Sequence, residues 1–158
     1  MNEIFFCENI ILSVTLFMSR EGFFELFTAD FIWSDVYISD IQHLCHTAEE
    51  QLIIKWLGTS DELWEFRYLG STILHVAAIY DCSQLIEFIC NYGRIDVNTQ
   101  QDSGNTPLHA AVTNNNYNVV KTLIQNKCHV NVKNNPGQTA LDCAQGKSDE
   151  IKKLLQQV

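Results

Sequence analysis

Residues 104–111 read Gly104-Asn105-Thr106-Pro107-Leu108-His109-Ala110-Ala111, an order that dictates a tight turn feeding a helix. Glycine supplies the positive φ that such a turn needs. Thr106 stands at the N-cap, where its hydroxyl can accept an orphan backbone N–H. Pro107 follows at the first helical position, where a missing N–H costs nothing. His109 falls three residues after the cap, placed to return a hydrogen bond to it.

The same pattern recurs on both sides. Gly70-Ser71-Thr72-Ile73-Leu74-His75 precedes it by 34 residues, and Gly137-Gln138-Thr139-Ala140-Leu141-Asp142 follows it by 33. A fixed period of this length is the mark of a stacked repeat. Small residues follow at Ala77-Ala78 and Ala111-Val112, then apolar runs at Leu85-Ile86-Ile89 and Val119-Val120-Leu123-Ile124, so each copy holds two helices. Asp96-Val97-Asn98 and His129-Val130-Asn131 close the first two copies in the turns between units. Asp142, in the histidine position of the last copy, also suits the positive end of a helix dipole.

These blocks resemble ankyrin repeats, whose G-x-T-P-L-H-x-A-A signature residues 104–111 match almost letter for letter. The resemblance implies an all-α solenoid of helix-turn-helix units with projecting β-turn fingers. Clear repeats are expected at 70–103, 104–136 and 137–158, the last as a terminal cap exposing Lys152, Lys153, Gln156 and Gln157. Lys127 departs from the family's preference for glycine after the second helix, and the last copy is one residue shorter between its helices. Upstream the pattern fades. Leu52, Ile53, Trp56 and Leu57 keep second-helix spacing, and residues 39–46 would supply a first helix, so 36–69 reads as a degenerate repeat. Residues 1–35 carry Phe5, Phe6, Phe17, Phe23, Phe24, Phe27, Phe31 and Trp33. They read as an N-terminal helical cap over the open end of the stack, with a docking or self-association patch as the alternative.

Binding in this family uses the fingers and first helices. By register the partner-facing positions are Tyr68, Leu69, Ser71, Ile79 and Tyr80 in the first clear repeat, with Tyr80 the expected anchor. Asp102, Ser103, Asn105, Thr113 and Asn114 take these places in the second, and Asn135, Gln138 and Lys147 in the third.

The net charge of -9 is lopsided: residues 1–70 carry twelve acids against three bases, residues 71–158 seven of each. A chain without a basic cluster cannot displace counterions from phosphate, which argues against nucleic acid and for a protein partner, basic if anything. The apolar run at 10–18 is preceded by Glu3 and Glu8, not by a positive segment, and Glu8-Asn9 interrupt the longer stretch from Ile4 to Met18, which therefore cannot span a bilayer. Six cysteines without paired spacing read as small buried hydrophobes in a reducing compartment, cytoplasmic or also nuclear.

No residue pattern calls for catalysis or a cofactor. His43, Cys45 and His46 are spaced too poorly along one helix to converge on zinc. His75 and His109 occupy equivalent places in the repeat and serve it better as hydrogen-bonding groups than as general bases. Asp102-Ser103-Gly104 resembles the start of the D-S-G-x-x-S destruction signal of the IκB proteins, but Pro107 stands where the second serine belongs. The expected function is a monomeric, non-enzymatic module that binds and sequesters or inhibits a protein partner through its concave face. A sharper expectation is an IκB-like inhibitor of a Rel/NF-κB-type transcription factor that lacks the destruction signal, since residues 97–112 are similar to an IκB segment and the acidic array is as short as the virus-borne kind. A ubiquitin-ligase substrate adaptor is the remaining alternative.

Overall fold

The computed structural model describes residues 50–58 and 62–157. The aromatic segment 1–35, the first helix expected at 39–46 and the His43, Cys45 and His46 group lie outside the described residues. The described residues form eight α-helices: α1 (Glu50–Leu57), α2 (Glu62–Glu65), α3 (Ile73–Ile79), α4 (Ser83–Tyr92), α5 (Pro107–Thr113), α6 (Tyr117–Gln125), α7 (Ala140–Cys143) and α8 (Asp149–Gln156). They contain no strand, only an isolated antiparallel bridge between Tyr68 and Ser71. First helices α3, α5 and α7 pack in succession, and second helices α1, α4, α6 and α8 do the same in a second row. The all-helical solenoid expected from the repeat is what the chain forms.

Each first helix starts as its sequence dictates. Thr72, Thr106 and Thr139 hold the extended N-cap conformation, with ψ of 171°, 168° and 167°. Gly70, Gly104 and Gly137 precede them at φ of 71°, 77° and 82°, the left-handed region. Small side chains then let the first helices approach closely: Ala77, Ala78, Ala111 and Ala140 are fully buried. The larger aliphatics of the second helices, Leu85, Ile86, Ile89, Val119, Val120 and Leu123, fill the interior beside them. Burial of one such leucine contributes about 1.5–3 kcal/mol. Ile124, which the sequence groups with them, is only half-buried.

Two departures from the pattern have local solutions. Lys127 takes the left-handed φ of 62° that Gly93, 34 residues earlier, takes at 70°, so the turn after α6 is made in spite of its side chain. The shortened last repeat cuts α7 to four residues, turns at Gly146 (φ 75°) and restarts α8 from Ser148, whose hydroxyl accepts the Glu150 and Ile151 N–H groups. Lys152, expected to be exposed on α8, is half-buried and pairs with Asp149 at 3.1 Å, while Lys153, Gln156 and Gln157 face solvent.

Polar side chains tie neighbouring helix pairs together. Cys82 cannot cap α4 with a side-chain oxygen; instead Glu50 of α1 accepts the Leu85 N–H at 2.8 Å, a carboxylate at the positive end of the helix. The run Asn114-Asn115-Asn116 divides its work three ways. Asn114 donates to Ala110 O in its own repeat, Asn116 donates back to Ala78 O and Ile79 O, and Asn115, at φ 61°, accepts the Ser148 N–H of the next repeat at 3.0 Å.

Candidate binding face

The three turns before the first helices form one ladder of fingers. In the first, Tyr68 and Ser71 exchange both backbone hydrogen bonds, at 3.0 and 2.8 Å, around Leu69 (φ 49°) and Gly70 (φ 71°). Positive φ at both loop residues is the demand of a type I′ turn, which favours Asn, Asp or Gly at its first position. The second and third fingers close one residue wider, Gln101 N–H to Asn105 O at 3.0 Å and Asn134 N–H to Gln138 O at 2.9 Å. Each finger then docks on the one before: Asp102 N–H donates to Leu69 O and Asn135 N–H to Ser103 O, both at 3.1 Å.

Side chains reinforce the ladder. Ser71 donates to Gln101, and Asn134 donates to Asn105 Oδ1 at 2.9 Å. Asn135 donates to Asp102 O at 2.9 Å. The close approach of neighbouring fingers explains a glycine. A Cβ on Gly104 would lie 2.6 Å from Asn135 N, whereas one on Gly137 meets nothing within 4 Å. Both Gly→Ala variants share the positive-φ strain, so Gly104→Ala is expected to lower stability by about 1–3 kcal/mol more than Gly137→Ala, measured by urea unfolding.

Beneath the fingers the two histidines join adjacent repeats. The Thr72 and Thr106 N–H groups donate to Nδ1 of His75 and His109, both at 3.2 Å. Each ring's Nε2 then donates to the next repeat, His75 to Asn105 O and His109 to Gln138 O, both at 3.1 Å. With Nδ1 accepting and Nε2 facing a carbonyl, only the neutral Nε2–H tautomer fits. Burial pushes the His75 pKa down to about 4, against a raising hydrogen bond to Asn105, and shifts His109 downward for the same reason. Neither ring has a lone pair left for base chemistry. Asp142, the third member of the register, accepts both the N–H and the hydroxyl of Thr139, at 2.8 and 2.7 Å. Those bonds, the backbone one foremost, hold its carboxyl below the usual range.

The residues picked by register sort into two groups. Tyr68, Leu69, Ile79, Asp102, Ser103, Thr113, Asn114, Asn135 and Gln138 are exposed, whereas Ser71, Tyr80, Asn105 and Lys147 are half-buried. Tyr80, half-buried, closes α3 as its C-cap. Asn105 is committed to the ladder through its carbonyl and both amide atoms.

An aromatic group escaped the sequence reading. Trp64 stacks on Tyr92 (centroids 5.2 Å apart) and Phe88 (6.3 Å), with the Arg94 guanidinium 5.6 Å from the Trp64 ring. Trp64 also donates to Leu57 O at 2.9 Å. Only the spacing of Phe88 and Tyr92, one helical turn apart, could have hinted at it. Among the described residues no three His, Cys, Asp or Glu side chains group as metal ligands, and no helix is long and apolar enough to cross a membrane.

A family model described as ankyrin repeats in three copies matches residues 42–134 and 97–157. The chain is 34% identical over 104 residues to the NAD-dependent deacetylase sir2B of Dictyostelium discoideum, covering 65% of the chain and 12% of that protein. It is 33% identical over 102 residues to protein phosphatase 1 regulatory subunit 12A of Rattus norvegicus, covering 61% of the chain and 10% of the relative. It is 38% identical over 87 residues to FPV031 of fowlpox virus, named as an ankyrin repeat protein, covering 53% and 26%. The chain thus spans about a quarter or less of the length of these relatives.

Proposed function

Because the chain belongs to the ankyrin-repeat family, whose members are protein-interaction modules, we propose that it is a non-catalytic module that holds a protein partner on its fingers and its first helices. The observation that carries this reading is a division of labour across the three clear repeats. The interior is sealed by buried aliphatics and by histidines with both nitrogens engaged, while Asp102, Ser103, Thr113, Asn114, Asn135 and Gln138 face outward along successive units. Such a row offers polar recognition on a rigid support. The likeness to the sir2B deacetylase covers 12% of that protein, and no deacetylase role is carried over from it. The unpaired spacing of the six cysteines in the sequence supports a reducing location, cytoplasmic or nuclear.

The test is affinity capture with wild type and a Thr113→Arg/Asn114→Arg variant, followed by mass spectrometry. A protein partner held by wild type and lost by a variant with an unchanged unfolding midpoint is the expected result. A partner retained equally by both would move the site off this face. The finer reading, an IκB-like inhibitor of a Rel-type factor, is supported by the likeness of residues 97–112 and by the viral relative. It fails if the protein leaves a Rel dimer's DNA binding unchanged. Recovery of a ubiquitin-ligase subunit would favour the adaptor role instead.

A further inference from the structure

The finger ladder has two different ends. Asp102 sits on Gly70, and Asn135 on Gly104, so closely that a Cβ on either glycine would lie 2.6 Å from the docked residue's main-chain nitrogen. Each docked residue also donates its N–H to the carbonyl just before that glycine, Asp102 to Leu69 O and Asn135 to Ser103 O. The third finger repeats this seat with its surface open. A Cβ on Gly137 meets nothing within 4 Å, and among the described residues none donates to the Pro136 carbonyl before it. Gly104 is accordingly buried and Gly137 exposed. At the opposite end the first finger cannot dock in this way, because its Tyr68 N–H is taken up by Ser71 O within the turn.

The helix beneath limits what fits there. His75 and His109 donate Nε2–H to Asn105 O and Gln138 O of the repeat stacked on them. Asp142, at the same register, has no proton to give, and its carboxylate already accepts from Thr139. A complete further repeat would bring a carbonyl toward that carboxylate, two negative ends without a proton between them. Leu141 beside it is 37% exposed, whereas Leu74 and Leu108 at its register are buried. A lone turn followed by an apolar residue matches both the seat and Leu141; a whole repeat does not.

We infer that the third finger is a docking site for a tight turn of a partner protein whose first tip residue is Asp or Asn, seated on Gly137 and donating its N–H to Pro136 O. This rests on the binding-module reading above and names the chemistry of the partner. The two seats filled within the chain, by Asp102 and by Asn135, show what covers such a surface and with which bonds. Asp and Asn suit the place because both tolerate turn conformations and keep a free main-chain N–H there.

The probe is a disulfide-cyclised peptide carrying residues 133–138, the finger that fills the seat on Gly104, titrated into isotope-labelled protein and read by NMR. Saturable shifts of the Gly137 and Gln138 amides are expected, with a Kd on the order of 1 mM. The peptide's Asn135→Ala form should bind about fivefold more weakly. Gly137→Asn in the protein should abolish binding at an unchanged unfolding midpoint, since Asn tolerates the left-handed φ while its Cβ fills the seat. No saturable shift, shifts away from the third finger, or undiminished binding by Gly137→Asn would overturn the inference. Self-association of the protein that Gly137→Asn abolishes would overturn it too, by assigning the seat to a second copy. If the peptide does not bind while Thr113→Arg/Asn114→Arg still loses the partner captured by wild type, the third finger is excluded and the wider binding face stands.

Discussion

Leu123→Ala is expected to destabilise the protein by about 2–5 kcal/mol, read as a drop in the urea midpoint with unchanged slope. Leu123 is fully buried in α6, the second helix that packs against both α4 and α8. Truncation leaves a cavity in the packed interior, where neighbouring side chains can relax only in part. Asn114→Ala is the matched control. It removes one exposed bond to Ala110 O and should change stability by less than about 0.5 kcal/mol. A silent Leu123→Ala, or a strongly destabilising Asn114→Ala, would contradict the packing described.

The second large effect is acid sensitivity. The unfolded chain protonates His75 near pH 6.5, the folded protein only near 4. Between these values the unfolded state binds the extra proton, so stability falls as pH drops through this window and is fully present above it. The gap corresponds to about 3 kcal/mol from His75, and His109 shifts in the same direction. Protonation places an N–H on Nδ1 against the Thr72 N–H, breaking the cap as well as charging the interface. Urea midpoints at pH 7 and pH 4.5 measure the loss. His75→Gln should lower stability at pH 7 and flatten the profile between pH 6.5 and 4; an unchanged profile would show that the ring does not titrate with folding. Asp142, with its carboxyl pulled down by Thr139, acts in a lower window, where stability is lost as pH falls below the ordinary carboxylate range.

Much of this arrangement was legible in residues 104–111 and their echoes, because caps and turns are local chemistry. Gly70, Gly104 and Gly137 take positive φ, Thr106 and Thr139 cap through their hydroxyls, and Pro107 sits at the first helical position, as their types dictate. The histidines were legible as hydrogen-bonding groups but not their partners, since Asn105 O and Gln138 O lie 30 and 29 residues away. Contacts that depend on stacking were beyond reach for the same reason. Nothing near Leu85 in sequence announces that Glu50 caps its helix, and nothing near Trp64 announces Tyr92. Degree of exposure was not legible either: of the positions chosen by register, Ser71, Tyr80, Asn105 and Lys147 are half-buried and the other nine exposed.

The Asn114-Asn115-Asn116 loop is also a load path. A stack in which each unit touches only its neighbours can fray from either end. Here a single three-residue turn grips the carbonyls ending α3 on one side and the amide that opens α8 on the other. Pulling on the exposed Asn114 side chain therefore draws on three repeats at once.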